Sequence, residues 1–301
     1  MPAPLVPGSW SRDTSGMRAR LTSSHFVGRL AELAELELAL REAAGAQPSV
    51  VLMGGQSGVG KTRLVNELER LAATGDRPPL MLRGEAVEQQ DAELPYAPLL
   101  SALRPVARAG HPAVEALSTG SRTQLATLLP GLDLPVVQAD RHDPAAQLRL
   151  FEAVLELLEL LSEDQPLLLT LEDVHCADRS TRGFIAFLAR SLRQERVMLL
   201  LTYRTDELHR RHPLRPLLAD LDRLERTRRM ELAPFDRREL AEALGDILGA
   251  DPSAELVERL FVRSEGNPLY TEELMAAGLD GRGATPQTLR DAFLLRIERL
   301  S

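Results

Sequence analysis

The stretch that most constrains this chain runs from Val50 to Leu64, VVLMGGQSGVGKTRL. Ser49 to Met53 is a short apolar run with β-branched residues and reads as a buried strand. It passes straight into Gly55-Gln56-Ser57-Gly58-Val59-Gly60-Lys61-Thr62, which fits the pattern G-x-x-x-x-G-K-[ST] without departure. Leu64, Val65, Leu68 and Leu71 then recur at helical spacing, so the glycines stand between a strand and a helix. Gly55, Gly58 and Gly60 let the backbone approach a ligand without Cβ clashes. Successive N–H groups beside a helix N-terminus then make a concave anion site. In that arrangement Lys61 reaches the β- and γ-phosphates as a point charge, Arg63 opens the helix behind it, and the Thr62 hydroxyl is a Mg²⁺ ligand. Average residue usage produces a chance match in roughly one chain of this length per hundred. Here chance is a poorer account still, because Lys61 is the only lysine among 36 basic residues. An ammonium is what the pattern needs, and arginine does not replace it.

Composition narrows what surrounds this loop. A chain of 301 residues holds one large or two modest domains. A net charge of −8 argues against a surface dedicated to nucleic acid or anionic lipid. One cysteine, Cys176, permits no internal disulfide and fits a reducing cytoplasm. No apolar run approaches a membrane span, and the prolines of MPAPLVPGSW interrupt any signal-peptide core. The expected location is the cytoplasm, with no membrane partner.

Residues 1–24 mix Pro, Ser, Gly and Arg without period and read as a flexible tail. Residues 25–233 read as an α/β domain, 234–282 as a small helical domain, and 283–301 as the start of a further helical segment cut short. Within the first, Pro79 to Arg83 reads as a second strand, Ala97 to Val106 as a helix and Ala145 to Leu161 as a buried helix. In the second, Asp236-x-x-Glu239 is a capping-box pattern, Asp251-Pro252 is read as the start of the next helix, and Gly266 to Tyr270 as a turn into a third. A last amphipathic pattern runs through Leu289, Phe293, Ile297 and Leu300.

Two further stretches bear on chemistry. Leu167 to Asp173 is an apolar strand ending in two acids. Near a phosphate loop, one carboxylate of such a pair holds the Mg²⁺ shell and its neighbour orients or deprotonates the attacking water. Taken alone, a polar turn with Asp178 capping the next helix explains it equally well; behind a complete phosphate loop, the catalytic reading takes precedence. Val197 to Leu201 is another apolar strand, closing on Thr202-Tyr203-Arg204. Thr202 and Arg204 share one side of its C-terminal end, where open α/β sheets bind ligands. Arg204 is a γ-phosphate sensor on one reading and a surface arginine on the other. His209 and His212 lack a third ligand nearby, which argues against a metal there.

Taken together the chain resembles the signal-transduction P-loop ATPases of the STAND/AAA+ group, and more narrowly the N-terminal ATPase module of large ATP-binding LuxR-type regulators. The residues that carry this are F-V-G-R at 26–29, G-Q-S-G-V-G-K-T-R-L at 55–64, L-E-D-V-H-C-A-D at 171–178, T-Y-R at 202–204 and G-N-P-L-Y at 266–270. The resemblance implies a P-loop NTPase fold: a five-stranded parallel sheet flanked by helices, the Thr202–Arg204 strand between the loop strand and the acidic strand, then a small all-helical domain. It places Val27, Arg29 and Pro268 near the adenine. It assigns ATP and Mg²⁺ as cofactors, with the metal at Thr62 and Glu172. In this sequence the acidic pair reads Glu172-Asp173 where the wider class has Asp first, which points to slow hydrolysis, and Cys176 replaces the tryptophan common in these regulators. DNA contact is expected only through a C-terminal domain missing here.

Three functions follow as expectations. The first is a nucleotide-dependent switch in a regulatory protein, with Lys61 and the loop amides on the phosphates, Thr62 and Glu172 on the ion, Asp173 on water and Arg204 on the γ-phosphate. The second is a self-associating AAA+ machine, with Arg210, Arg211 or Arg229 as a finger in trans. The third is a nucleotide-binding fragment without turnover.

Overall fold

In the computed structural model of the chain, the described residues are 23, 25–87, 95–129 and 144–279. The expected final amphipathic helix and most of the expected tail lie outside them. Ser23, at the end of that tail, is buried and donates to Asp246 Oδ2 at 2.6 Å.

Five strands form one parallel sheet in the order β2-β3-β4-β1-β5. They are β1 (Ser49–Gly55), β2 (Leu80–Glu85), β3 (Leu167–Glu172), β4 (Val197–Arg204) and β5 (Thr227–Leu232). The three central strands are almost wholly buried, which is why they read as unbroken apolar runs: a parallel sheet covered on both faces has no polar side to show. The two edge strands carry Arg83, Arg228, Arg229 and Glu231, whose charged ends leave the core. β4 lies between β1 and β3 as expected, so the phosphate loop, the acidic pair and Thr202–Arg204 meet at the carboxyl ends of neighbouring strands.

Alternation along β1 divides the core. Val51 and Met53 face α1 (Leu30–Ala44) and α2 (Lys61–Ala72), where Leu36, Leu64, Val65 and Leu68 are fully buried. Val50 and Leu52 face the larger layer, which contains α3 (Ala97–Arg108), α4 (Pro112–Ala116), α5 (Thr119–Leu128), α6 (Pro144–Ser162), α7 (Arg179–Ser191) and α8 (Leu214–Leu221). Each fully buried Leu or Phe in these layers contributes about 1.5–3 kcal/mol by leaving water. Phe151 of α6 meets Phe184 and Phe187 of α7 with ring centroids 5.4 Å apart, fixing that pair of helices.

A third hydrophobic cluster is built from α9 (Arg237–Leu248), α10 (Ala254–Ser264) and α11 (Pro268–Leu279), through Leu240, Leu244, Val257, Leu260, Tyr270 and Leu274. The capping box is present: Asp236 Oδ1 accepts from Arg238 and Glu239 amides, each at 2.8 Å, and Glu239 accepts from the Asp236 amide at 3.0 Å. The start of α10 differs from expectation. Ser253, not Asp251-Pro252, caps it, its Oγ accepting from Leu256 N–H at 3.2 Å. A serine with extended backbone satisfies an orphan amide directly, so the proline stays outside the helix. Likewise β5 starts at Thr227, three residues before the apolar Met230, because it pairs β1 from Val50 onward.

Candidate functional site

The phosphate loop takes the conformation its glycines permit. Gly58 and Gly60 have φ of +76° and +105°, and a Cβ on Gly60 would meet nothing within 4 Å. The hollow of the loop is therefore left to backbone N–H groups. Lys61, at the first position of α2, is 7% exposed and donates to the carbonyls of Gly55 at 2.8 Å and Gln56 at 2.9 Å. Burial holds its ammonium below the usual lysine range, and the negative charges of Asp173, Asp206 and Glu207 oppose that shift. A charged amine under a strand–helix turn, held only by carbonyl oxygens, is ready to exchange them for phosphate oxygens.

At the next residue, the Thr62 hydroxyl donates to Glu172 Oε2 at 2.8 Å, although these two are 110 positions apart. Glu172 is the last residue of β3 and 7% exposed. Its other oxygen accepts from Arg83 Nε, and Arg83 also donates to Asn66 Oδ1 at 2.6 Å. A hydroxyl and a carboxylate side by side at the start of a helix form a hard-oxygen donor set, and this fits Mg²⁺. Asp173 follows with φ +53°, an uncommon conformation for a non-glycine residue. Its amide donates to Thr202 Oγ1 at 3.1 Å, so the side chain leaves the strand line and turns beside Arg204, whose Nη2 lies 3.5 Å from Asp173 Oδ2. The structure thus brings Lys61, Thr62, Glu172, Asp173 and Arg204 together from α2, from β3 and the residue after it, and from β4.

Behind Asp173, a single 3-10 turn (Val174–Cys176) buries the His175 ring. Burial pushes the imidazole below its usual range, against the charges of Asp173 and Glu207. Cys176, His175 and Glu207 offer donor atoms within 4.8 Å of one another. Glu207 is already engaged by Arg204 Nη1 at 2.7 Å.

On the other side of the loop a mostly apolar cleft opens between the α/β layers and the helical cluster. Phe26, Val27, Val59 and Gly60 line one wall, and Phe235, Leu240, Ala243, Ile247 and Pro268 the other. Val27, Pro268 and Arg63 all line it. Arg29 lines it too, but its guanidinium is occupied: it donates to the Ala233 carbonyl, lies 3.3 Å from Glu32 and stacks 5.3 Å from the Phe235 ring centroid. Arg63 donates to the carbonyls of Ser23 and His25. The helical cluster reaches the phosphate loop itself. Asn267 Nδ2 donates to the Ser57 carbonyl at 2.8 Å and Leu269 N–H to the Gly58 carbonyl at 3.3 Å. Asn267, Arg83, Asp206 and Glu207 received no role from sequence. Asn267 stands inside G-N-P-L-Y and the two acids follow T-Y-R after one threonine, whereas nothing local marks Arg83. Of the finger candidates, Arg229 is paired with Asp222 at 2.7 Å.

A family model described as an AAA ATPase domain matches residues 25–201. No curated protein matches the chain. Among solved structures, one similar chain is a signal transduction ATPase with numerous domains (STAND) bearing a tetratricopeptide repeat sensor, from Pyrococcus horikoshii. It has a TM-score of 0.49 and 13% identity, over 94% of this chain and 34% of that one. This chain therefore spans about a third of that protein. Another is from the structure of Drosophila ORC bound to DNA, at TM-score 0.49 and 13% identity, covering 99% of this chain and 71% of that one. No helix among the described residues is long and apolar enough to cross a membrane.

Proposed function

The chain belongs to the AAA ATPase domain family, and on that premise we propose that it is an ATP·Mg²⁺-binding switch module that hydrolyses ATP slowly. The observation that carries the reading is the 2.8 Å contact between Thr62 and Glu172 beside Lys61, at the shared carboxyl edge of β1, β3 and β4. In this reading the loop amides of residues 56–62 and Lys61 bind phosphates, and Thr62 and Glu172 hold Mg²⁺, which supplies charge neutralisation at the phosphates. Asp173 accepts a proton from water or orients it, and Arg204 faces the terminal phosphate. The adenine lies in the cleft between Val27 and Pro268, with Arg29 holding the wall and Arg63 tying the segment before it.

The cleft is bounded on one side by Phe26, Val27 and Arg29 and on the other by the helical cluster of α9–α11. A nucleotide bound there biases the angle between the two bodies, which is the two-state element a switch needs. The order of the five sequence motifs supports placing this switch in a LuxR-type transcriptional regulator.

The test is ATP binding and turnover by the purified chain over a range of protein concentrations. Lys61→Ala is expected to weaken ATP binding tenfold or more, the loss of a charge-assisted contact of about 1.5–3 kcal/mol. Asp173→Asn is expected to keep binding and lower turnover by about a hundredfold or more. Turnover per chain that climbs with concentration would replace the switch with an assembling AAA+ machine. ATP binding without any turnover would leave a nucleotide-binding fragment.

A further inference from the structure

The turn after β4 carries two acids that the roles above do not use. Thr205 N–H donates to the Gly55 carbonyl at 3.2 Å, which fastens the turn to the phosphate loop. Both carboxylate oxygens of Asp206 then face the Ser57 amide, at 3.2 and 3.4 Å. Glu207 Oε1 accepts from Arg204 Nη1 at 2.7 Å, and its Oε2 stands 3.1 Å from Nε2 of the buried His175. So an amide of the loop and the guanidinium at the strand end are both held by carboxylates.

Their position along the loop matters. Val59, Gly60 and Arg63 line the apolar cleft, whereas Ser57 and Arg204 do not. A phosphate chain that starts from a base in the cleft and runs along the loop ends at the Ser57–Arg204 side. The acids therefore stand at its last phosphate. We propose that Asp206 and Glu207 set the preference of this site between nucleoside triphosphate and diphosphate, by holding the Ser57 amide and Arg204 against a γ-phosphate. The inference rests on the nucleotide reading above and adds the residues that discriminate. The physical cause is like charge at short range: a triphosphate brings extra negative charge beside two carboxylates and must turn them away, while a diphosphate ends short of them. Lys61, Arg204 and Arg83 supply the positive charge near this edge, against Glu172, Asp173, Asp206 and Glu207.

The experiment measures ATP and ADP affinity separately, by displacement of a fluorescent nucleotide with Mg²⁺ present, for the wild type, Asp206→Asn and Glu207→Gln. Each variant is expected to tighten ATP by about threefold to tenfold more than ADP, the size of one removed charge at a partly solvated site, and the gain shrinks at high salt. Equal shifts for both nucleotides, no shift, or weaker ATP binding overturns the inference while leaving the nucleotide reading intact. A wild-type chain that binds neither nucleotide overturns both, and is told apart by that result. Thermal unfolding checks each fold; Asp206→Ser and Glu207→Ala carry the same expectation if an amide variant does not fold.

Discussion

At the scale of single residues, the site depends on places where a side chain is absent as much as on those where one is present. Gly84 in β2 shows this away from the loop. A Cβ there would lie 1.8 Å from the Pro98 carbonyl oxygen, backbone that no rotamer change can move. Gly84→Ala is therefore expected to push α3 off the sheet and cost about 1–3 kcal/mol, read as a lower midpoint in denaturant unfolding. Arg83, one position earlier, hydrogen-bonds the Glu172 carboxylate and fixes which oxygen remains for Thr62. Neither residue stands out in the chain. A lone glycine and a lone arginine in an apolar run look the same whether they meet solvent or a neighbouring backbone. Lys61 and Thr62 were legible because their spacing to the loop glycines is set by local chain geometry.

At the scale of elements, the same distinction separates helix starts that were readable from the one that was not. The Asp236–Glu239 box is a contact within four residues, so the pattern and the structure coincide. Asp236→Ala is expected to remove two hydrogen bonds to orphan amides and to lower stability by about 1 kcal/mol, seen as earlier unfolding of the helical domain by hydrogen exchange. In the α10 region, Asp251-Pro252-Ser253 offers two plausible starts, and local propensity does not choose between them. Ser253 caps because the chain enters α10 extended at that residue. β5 is longer than its apolar core for a different reason: backbone pairing to β1 begins ahead of the first hydrophobic side chain, through Thr227, Arg228 and Arg229.

At the scale of the whole molecule, the proposed switch rests on contacts between the α/β layers and the helical cluster. Asn267 supplies the side-chain contact to the loop, beside the backbone bond from Leu269 N–H to the Gly58 carbonyl. Its Nδ2 reaches the Ser57 carbonyl, and its Oδ1 accepts from Tyr270 N–H at 3.2 Å, so one side chain bonds both the start of α11 and the phosphate loop. A Cβ on Gly58 would lie 2.8 Å from Leu269 Cβ, so no larger residue fits between them. If nucleotide sets the angle of the two bodies, ATP is expected to slow amide exchange across α9–α11 in the wild type. Asn267→Ala is expected to lose much of that protection while still binding ATP. Equal protection in the variant would mean that the coupling runs through the cleft walls and the Leu269–Gly58 backbone bond instead.

The sequence by itself determined the features that arise from contacts a few residues apart: the phosphate loop, the buried parallel strands with their acidic and Thr-x-Arg ends, and the capped first helix of the second cluster. These are written in short periods and spacings, because 2.0- and 3.6-residue repeats and tight glycine turns are local geometry. Only the tertiary structure decided which distant groups meet: Glu172 with Thr62 and Arg83, Asp206 with the Ser57 amide, Asn267 with the loop carbonyl, and Arg29 with Ala233 rather than with open solvent. Such pairings depend on strand order and on how helices seat against the sheet, and both are set by packing summed over many buried side chains that no short stretch of the chain contains.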